Sequence, residues 1–281
     1  METNLKQMIA RCVSIAILLF SFSFLFVASA ADFYVTPTKA MRVPKIDRRK
    51  CRSLDAVLRI AETNDTIHLA MGTYNLPRKG FTLSTPVTIL GGYSTDFKTR
   101  DPFKMPTCIA PTGVHTARLS HADFAFFNLD FTSATNAQAA ALFVDGLTFD
   151  GGAFTNFTPR TSRVRAAALF RGENVGSLLA LTIRNCTFLN SYGPALQLNW
   201  NAGSLTISNN VFSNNWPFAV SLAGPFRGPS IPCDFTANTL PTNSLYFNFG
   251  LTTNCAANRF TAPTMKPIGI EEDEEPEEEE E

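Results

Sequence analysis

Arginine is the residue type whose clustering most clearly suggests chemistry in this sequence. The stretch TPRTSRVRAAALFRG contains Arg160, Arg163, Arg165 and Arg171. A second basic stretch, MRVPKIDRRKCR, covers residues 41–52. Guanidinium groups bind carboxylates, sulfates and phosphates through paired hydrogen bonds. The clusters therefore predict a site for an anionic ligand, and the alternative is a solvated surface, which is the commoner role of a charge run.

Residues suited to acid–base catalysis or metal binding are scattered along the chain. Glycoside hydrolysis needs two carboxylates beside the bond that is cut, and calcium needs clustered oxygen ligands. We interpret the candidate aspartates as turn and edge residues: Asp123, Asp130, Asp145 and Asp150. No positioned acid accompanies His68, His115 or His121, and no C-x-x-C or His/Cys cluster predicts zinc. We expect no catalytic pair, no metal and no other cofactor.

A repeated phrase predicts the elements that carry these residues. LTIRNCTF, residues 181–188, is nearly repeated by LTISNNVF, residues 205–212. Similar phrases are FAFFNLDF ending at Phe131, LFVDGLTF at Phe149, CDFTANTL at Leu240 and TNCAANRF at Phe260. Their apolar residues alternate, which is the two-residue period of a strand. Identical positions would stack about 4.8 Å apart in successive coils, so the sequence predicts an all-β solenoid of parallel strands with phenylalanines stacked inside.

Asparagine interrupts the alternating run in several copies of the phrase. Asparagine tolerates a left-handed backbone, and its side-chain amide can bond the next coil of a solenoid. We therefore predict that a turn ladder at the bend between two strands contains Asn185, Asn209, Asn210, Asn238 and Asn258.

One helix is predicted near the start of the chain. In CRSLDAVLRIAETND, residues 51–65, the apolar residues Leu54, Val57, Leu58 and Ala61 follow helical spacing. Because the open end of a solenoid exposes apolar side chains and strand edges, we expect this amphipathic helix to cap it. Residues 31–64 are thus predicted as an N-terminal strand and capping helix, and residues 65–265 as the solenoid.

Two further stretches extend this interpretation to a family. CRSLDAVLRIAETNDTIHLAMGTYNL and TPVTILGGYSTDFKTRDP resemble the opening of exported proteins of the pectin lyase-like superfamily. GGAF at residue 151 and FSNN at residue 212 resemble repeats of polymorphic outer membrane proteins. The first resemblance covers about residues 33–262 and implies a right-handed parallel β-helix.

The same resemblance implies that a functional face is formed by the first strand of each coil. These strands correspond to AALF near Ala168, PALQLN at Pro194 and PFAVSL at Pro217. With Leu196, Leu198, Val220 and Leu222 inside, the alternation places Ala195, Gln197, Asn199, Ala219 and Ser221 outside. The polygalacturonase motifs N-T-D, D-D, G-H-G and R-I-K are absent from the sequence. We therefore expect ligand binding, without catalysis, by Arg160, Arg163, Arg165, Arg171, Gln197, Asn199 and Ser221.

The two ends of the chain have their own composition. Lys6 and Arg11 precede an apolar run, residues 13–27, and the small residues ASA. This pattern predicts a cleaved signal peptide at residues 1–30, with an uncleaved anchor as the alternative. Residues 266–281 are predicted as a disordered acidic tail. Residues 31–270 contain 22 Lys and Arg against 13 Asp and Glu, so the predicted folded body is basic.

Five cysteines remain after residue 30. In an oxidising compartment the simplest disulfides join Cys51 to Cys108 and Cys233 to Cys255. Cys186 lies inside the repeat and is expected to pack as a small apolar residue. The alternative is that all five thiols are reduced.

These observations favour a secreted binding protein at the cell surface or in the periplasm. The basic surface is expected to recognise an anionic polysaccharide or another envelope component. Nucleic acid is disfavoured because the basic residues lack interleaved aromatic residues and a nucleic-acid-binding motif. One alternative is a polysaccharide lyase or glycoside hydrolase of the same fold, with Arg163, Arg165 or Arg171 as a base. The other is a purely structural or adhesive surface protein.

Overall fold

A computed structural model of the chain describes residues 30–37, 53–77, 80–111, 125–131, 140–151, 168–174, 178–191, 193–216 and 218–263. The chain divides into two units, Met1–Ala31 and Asp32–Glu281, and the second unit contains every described strand and helix. In chain order these elements are β1 (Asp32–Val35), α1 (Leu54–Ile60), β2 (Thr66–Ala70), β3 (Gly72–Asn75), β4 (Phe81–Leu83), β5 (Thr88–Tyr93), β6 (Thr107–Ala110), β7 (Ala125–Phe131), β8 (Ala140–Asp145), β9 (Leu147–Asp150), β10 (Ala168–Asn174), β11 (Leu179–Arg184), β12 (Thr187–Leu189), β13 (Leu196–Trp200), β14 (Ser204–Ser208), β15 (Val211–Ser213), β16 (Val220–Ala223), β17 (Ile231–Thr236), β18 (Thr239–Pro241), β19 (Leu245–Phe247), β20 (Leu251–Asn254) and β21 (Arg259–Thr261).

The strands form three parallel sheets. Sheet A has the order β1-β2-β5-β8-β11-β14-β17-β20, sheet B has β3-β6-β9-β12-β15-β18-β21, and sheet C has β4-β7-β10-β13-β16-β19. From β2 onward the chain visits sheets A, B and C in turn, and we call one such circuit a coil. The predicted all-β class with stacked parallel strands is confirmed, and the arrangement is consistent with a parallel β-helix.

Phenylalanine stacks form the core of sheet B. Phe188 is in register with Phe149 below it and Phe212 above it. The ring centroids of Phe149 and Phe188 are 5.1 Å apart, and those of Phe188 and Phe212 are 4.8 Å apart, with nearly parallel planes. All three rings are buried, so each phenylalanine packs against its own counterpart in the next coil, as predicted.

One of the aligned phrases belongs to a different sheet. FAFFNLDF contains β7, a strand of sheet C, and its Phe131 pairs with Asn174. The residue in register with Phe149 is instead Ile109 of β6. The alignment on a terminal phenylalanine was wrong here because an apolar, alternating strand has the same pattern in either sheet.

Helix α1 begins at an N-cap and buries one face. The backbone N–H of Ala56 donates a hydrogen bond to the hydroxyl of Ser53 at 3.3 Å, which satisfies one free amide of the first turn. The apolar stripe predicted from the sequence is buried: Leu54, Val57, Leu58 and Ala61. The helix packs against β4, the first strand of sheet C.

The corner between sheets A and B contains left-handed residues. Asn185 and Asn209 have φ angles of 53° and 55°, and Gly146 occupies the same position one coil below with 77°. The Nδ2 of Asn209 donates to the Oδ1 of Asn185 at 2.6 Å, and the Nδ2 of Asn185 donates to the Oδ1 of Asp145 at 2.9 Å. These side chains form an outer ladder that ends on a carboxylate.

The remaining three asparagines of the predicted ladder form a separate inner ladder. The backbone N–H of Asn210 donates to the Oδ1 of Asn238 at 3.0 Å, and the Nδ2 of Asn238 donates to the carbonyl of Ile207 at 2.8 Å. Asn258 bonds Asn238 and the preceding strand in the same way. Each inner asparagine therefore satisfies one N–H and one C=O of the preceding coil.

A second asparagine corner, between sheets B and C, was missed from the sequence. The Nδ2 of Asn214 donates to the Oδ1 of Asn190, whose own Nδ2 donates to the Oδ1 of Asp150 at 2.8 Å. Beneath them, the backbone N–H of Ser191 donates to the Oδ1 of Asn215 at 3.0 Å. The sequence could have predicted this corner, because FLNS, residues 188–191, and FSNN, residues 212–215, both have an asparagine two residues after a phenylalanine.

The cysteines require a correction. Cys108, Cys233 and Cys255 are free thiols, so the predicted Cys233–Cys255 disulfide is not present. Cys233 is in register with Thr253, which places Cys255 two residues further along the next coil. Cys51, the predicted partner of Cys108, lies outside the described residues. Cys186 is buried, and burial raises its pKa to about 12.

Candidate functional site

The outer face of sheet C brings three of the predicted binding residues into one row. Arg171 of β10 is in register with Gln197 of β13, and Gln197 is in register with Ser221 of β16. The row continues in both directions, and we call it the polar row: Thr82, Asn128, Arg171, Gln197, Ser221 and Tyr246. Neighbouring members are separated by one strand spacing, about 4.8 Å.

A second row runs beside the polar row, two residues further along each strand. Asn199, the fourth predicted residue that the structure describes, is in register with Glu173 below it and Ala223 above it. Glu173 is in turn in register with Asp130 of β7. The second row is therefore acidic in its lower coils and uncharged in its upper coils.

The alternation of each strand explains why these side chains face outward. Leu196 and Leu198 are buried on either side of Gln197, and Val220 and Leu222 are buried on either side of Ser221. The prediction was wrong for Ala195 and Ala219, which are both buried. They precede β13 and β16 directly, and the chain is still turning the corner there, so two consecutive residues face the core.

Arg171 is held by its own strand neighbour. Its Nη2 donates to the Oε1 of Glu173 at 2.6 Å, and both side chains are partly buried. A guanidinium group carries hydrogen-bond donors and no acceptor. Arg171 can therefore orient or neutralise an anion but is not suited to remove a proton.

Glu173 was not recognised from the sequence as a site residue. It lies two positions after Arg171 in β10 and next to Asp130 of the neighbouring strand, so two carboxylates share this part of the face. The alternation of RGEN, residues 171–174, predicts that Glu173 lies on the same face of the strand as Arg171. Its proximity to Asp130 could not be predicted, because it depends on the register with a strand some forty residues earlier.

The predicted basic surface is not found in the part of the chain that the structure describes. Those residues contain 8 Lys and Arg against 11 Asp and Glu, whereas residues 31–270 contain 22 against 13. Arg160, Arg163 and Arg165 lie outside the described residues. Three stretches outside the described residues contain these arginines and three other basic residues: 78–79, 112–124 and 152–167. In the sequence, each stretch lies between a strand of sheet B and the next strand of sheet C.

Asp145 is a buried charge at the corner between sheets A and B. Its carboxylate lies 2.8 Å from Arg100 Nη2 and 2.8 Å from Arg184 Nε, and only 1% of the side chain is exposed. Burial alone would raise the pKa of Asp145, but hydrogen bonds from Asn185, Arg100 and Arg184 outweigh burial and hold the pKa below its usual value. Asp145 is therefore more than the turn residue predicted from the sequence, because it ties three coils together.

His68 has a positioned acid, contrary to the sequence interpretation. Its Nε2 lies 2.9 Å from the Oδ1 of Asp32, and its ring stacks on Tyr34 with centroids 4.6 Å apart. Tyr93 and Phe97 complete a closed cluster of rings on sheet A. The centroids of neighbouring rings are 4.6–6.0 Å apart, so the rings pack against one another in the first coils. His115 and His121 lie outside the described residues.

The described residues contain no group of three metal-binding side chains, and none of the helices in that part of the chain is long and apolar enough to cross a membrane. Comparisons with models of protein families, with curated proteins and with solved structures found no match. Four of the predicted binding residues thus lie together on the outer face of sheet C: Arg171, Gln197 and Ser221 in the polar row, and Asn199 in the row beside it.

Proposed function

We propose that this protein is an exported, non-catalytic parallel β-helix that binds an acidic polysaccharide along the outer face of sheet C. The polar row carries the proposal, because it presents amide, hydroxyl and guanidinium groups at one strand spacing over six consecutive strands. A linear ligand with a repeating unit can use such a row at several points at once. Repeated weak contacts of this kind add up to useful affinity.

The finer description of the fold is part of the same proposal. Parallel strands of one sheet are joined by right-handed connections in nearly all proteins, which favours a right-handed coil of the pectin lyase-like kind. Helix α1 packs against β4, the strand at the open end of sheet C, and this contact supports a capping role.

The charge of the ligand is inferred from the connections that lead into sheet C. Residues 78–79, 112–124 and 152–167 contain Arg78, Lys79, Arg118, Arg160, Arg163 and Arg165 against one aspartate, Asp123. In the sequence, the three stretches precede β4, β7 and β10, which are all strands of sheet C. We propose that they supply the positive charge that the described face lacks, and that the ligand carries carboxylate or sulfate groups.

Binding is favoured over the lyase alternative by the contact between Arg171 and Glu173. A polysaccharide lyase needs a group that accepts a proton from the sugar, whereas Arg171 is engaged as a hydrogen-bond donor to Glu173 at 2.6 Å and has no acceptor to offer. The pair formed by Glu173 and Asp130 is the feature that would serve a hydrolase, so product formation is measured alongside binding.

The test measures binding of the purified full chain to polygalacturonate and to a neutral glucan. Isothermal titration calorimetry gives the affinity, and absorbance at about 235 nm detects the unsaturated product of a lyase. We expect the triple variant Arg160→Ser/Arg163→Ser/Arg165→Ser to bind polygalacturonate at least roughly tenfold more weakly at low salt, with a smaller salt dependence. The double variant Gln197→Ala/Asn199→Ala should lose affinity at every salt concentration.

A matched control lies on sheet A. Thr182 and Thr206 are in register on two neighbouring strands, at intermediate exposure. Thr182→Ala/Thr206→Ala should bind as the native chain does. Absence of binding to any polysaccharide would favour a structural or adhesive role, and unsaturated or reducing-end product would establish an enzyme instead.

A further inference from the structure

Exposed aromatic residues gather at the upper end of sheet C. Phe218, just before β16, is 41% exposed, and Tyr246 of β19 is 50% exposed. Their ring centroids are 6.1 Å apart and the planes are inclined by 36°. Tyr246 is also the last member of the polar row, in register with Ser221. The row therefore ends on an exposed aromatic pair.

A second aromatic pair belongs to the same two coils, at the point where they leave sheet C. Phe226 follows β16 and is 75% exposed, and Phe249 follows β19 and is 45% exposed. The two rings meet edge to face with centroids 5.1 Å apart. The backbone N–H of Gly224 donates to the carbonyl of Phe249 at 2.9 Å, which fixes the two connections side by side. We call Phe218, Tyr246, Phe226 and Phe249 the aromatic patch.

The size of the aromatic patch indicates what kind of ligand it fits. Aromatic side chains have roughly 150–250 Å² of surface each, so each of the two pairs at these exposures presents about 200 Å². A stable protein interface buries about 800 Å² on each partner. The patch is therefore too small for a stable protein interface, but it is large enough for one or two sugar rings.

The neighbours of the patch favour a sugar over a purely apolar molecule. Ser221 lies next to Tyr246 in the polar row, and Gln197 follows one strand below. Asn199 stands in the adjacent row and is exposed. A pyranose ring combines an apolar C–H face with hydroxyl groups at its rim, so it can stack on a ring and bond to amides and hydroxyls together.

We propose that the aromatic patch is a stacking platform for the pyranose rings of the bound polysaccharide, with Tyr246 and Phe218 as its main contacts. This inference rests on the proposed function and names a second set of contacts for it. The platform adds contacts with the apolar ring faces of the ligand to the contacts that the proposed site makes with its anionic groups. The platform contributes through contact area, so its effect persists when salt screens the charges.

The experiment compares two oligosaccharides with two variants by isothermal titration calorimetry. The ligands are an oligogalacturonate and an uncharged β-linked hexasaccharide, at about 0.1 M and about 1 M salt, where the screening length falls to roughly 3 Å. We expect Tyr246→Ala/Phe218→Ala to weaken binding of the oligogalacturonate roughly tenfold at both salt concentrations. Phe103→Ala is the matched control, because Phe103 is 61% exposed and lies between β5 and β6, away from sheet C.

The outcomes separate this inference from the proposed function. If the native chain binds oligogalacturonate and the double variant binds it equally well, the platform is wrong and the charged site stands. If the loss appears only at low salt, or if Phe103→Ala causes the same loss, the platform is also wrong. If neither ligand binds the native chain, the proposed function itself fails. Self-association that Tyr246→Ala abolishes, measured by light scattering, would assign the patch to contact between copies and overturn the platform.

Discussion

The chain passes from sheet A to sheet B and from sheet B to sheet C in different ways. In three successive coils the corner from sheet A to sheet B has two residues: 185–186, 209–210 and 237–238. The connection from sheet B to sheet C ranges from three residues between β18 and β19 to seventeen between β9 and β10. Ladders of side-chain amides fix the first corner coil by coil, whereas the second tolerates insertions. The regular corner of these three coils acts as scaffold, and the two longest connections from β2 onward, residues 111–124 and 151–167, both lead into the proposed binding face.

The largest loss of stability is expected from a substitution in the inner ladder. Asn238→Ala leaves the buried N–H of Asn210 and the buried carbonyl of Ile207 without their partners. Because each unsatisfied buried group costs about 1–3 kcal/mol, we expect a loss of about 3 kcal/mol in the free energy of unfolding. Urea unfolding followed by circular dichroism measures it. Asn254→Ala, which removes an exposed bond to Asp234, should cost far less, and equal losses would contradict a special role for the inner ladder.

The next effect tests the charge beneath the outer ladder. Asp145→Asn keeps the size of the side chain but removes the charge that faces Arg100 and Arg184. Because Arg184 is about half exposed, we expect a loss of about 2 kcal/mol at neutral pH, less than for a fully buried pair.

The pH dependence of the Asp145 contribution follows from the lowered pKa. The folded-state pKa lies below the unfolded value of about 3.9, so the contribution is present above that value and is lost as pH falls through the folded pKa. The difference in unfolding free energy between the native chain and Asp145→Asn should therefore shrink as the pH is lowered below about 4. A difference that is constant with pH would show that the carboxylate charge is not its source.

A smaller effect is expected to strengthen the scaffold. Ala237 has a φ of 55° and occupies the position that Asn185 and Asn209 fill in earlier coils. Ala237→Asn should relieve the left-handed strain and extend the outer ladder by one hydrogen bond to Asn209, a gain of about 1 kcal/mol. Thermal unfolding measures the gain. Ala256→Asn, an exposed position without a left-handed backbone, is the control, and a similar gain there would exclude the ladder as the cause.

The smallest effect on stability is expected on sheet C. Gln197 and Asn199 face outward, so Gln197→Ala/Asn199→Ala should change the free energy of unfolding by less than about 0.5 kcal/mol. The same variant should weaken polysaccharide binding. A large loss of stability would mean that the polar row belongs to the scaffold, and the contrast between the two regions would disappear.

The features that could be predicted best from the sequence are those that repeat from coil to coil. Alternation alone oriented Leu196, Gln197 and Leu198, and it predicted the phenylalanine stack of sheet B. It failed at Ala195 and Ala219, because a corner interrupts the alternation just before a strand.

Contacts between distant segments could not be predicted from the sequence. Arg100 and Arg184 lie about forty residues on either side of Asp145, and the three meet only because the coils stack. In the same way, Glu173 becomes a neighbour of Asp130 through register. The predicted Cys233–Cys255 disulfide failed for a related reason, since Cys255 lies two positions beyond the residue that is in register with Cys233.

The inner ladder also has a direction. The backbone N–H of Cys186 donates to Asn210, that of Asn210 donates to Asn238, and that of Asn238 donates to Asn258. Each corner is thus completed by residues made 20 to 28 positions later. Each added coil therefore supplies the side chain that satisfies the inner corner of the coil before it. A chain that ended after any one of these coils would therefore leave one inner corner without its partner, while the corners before it would keep theirs.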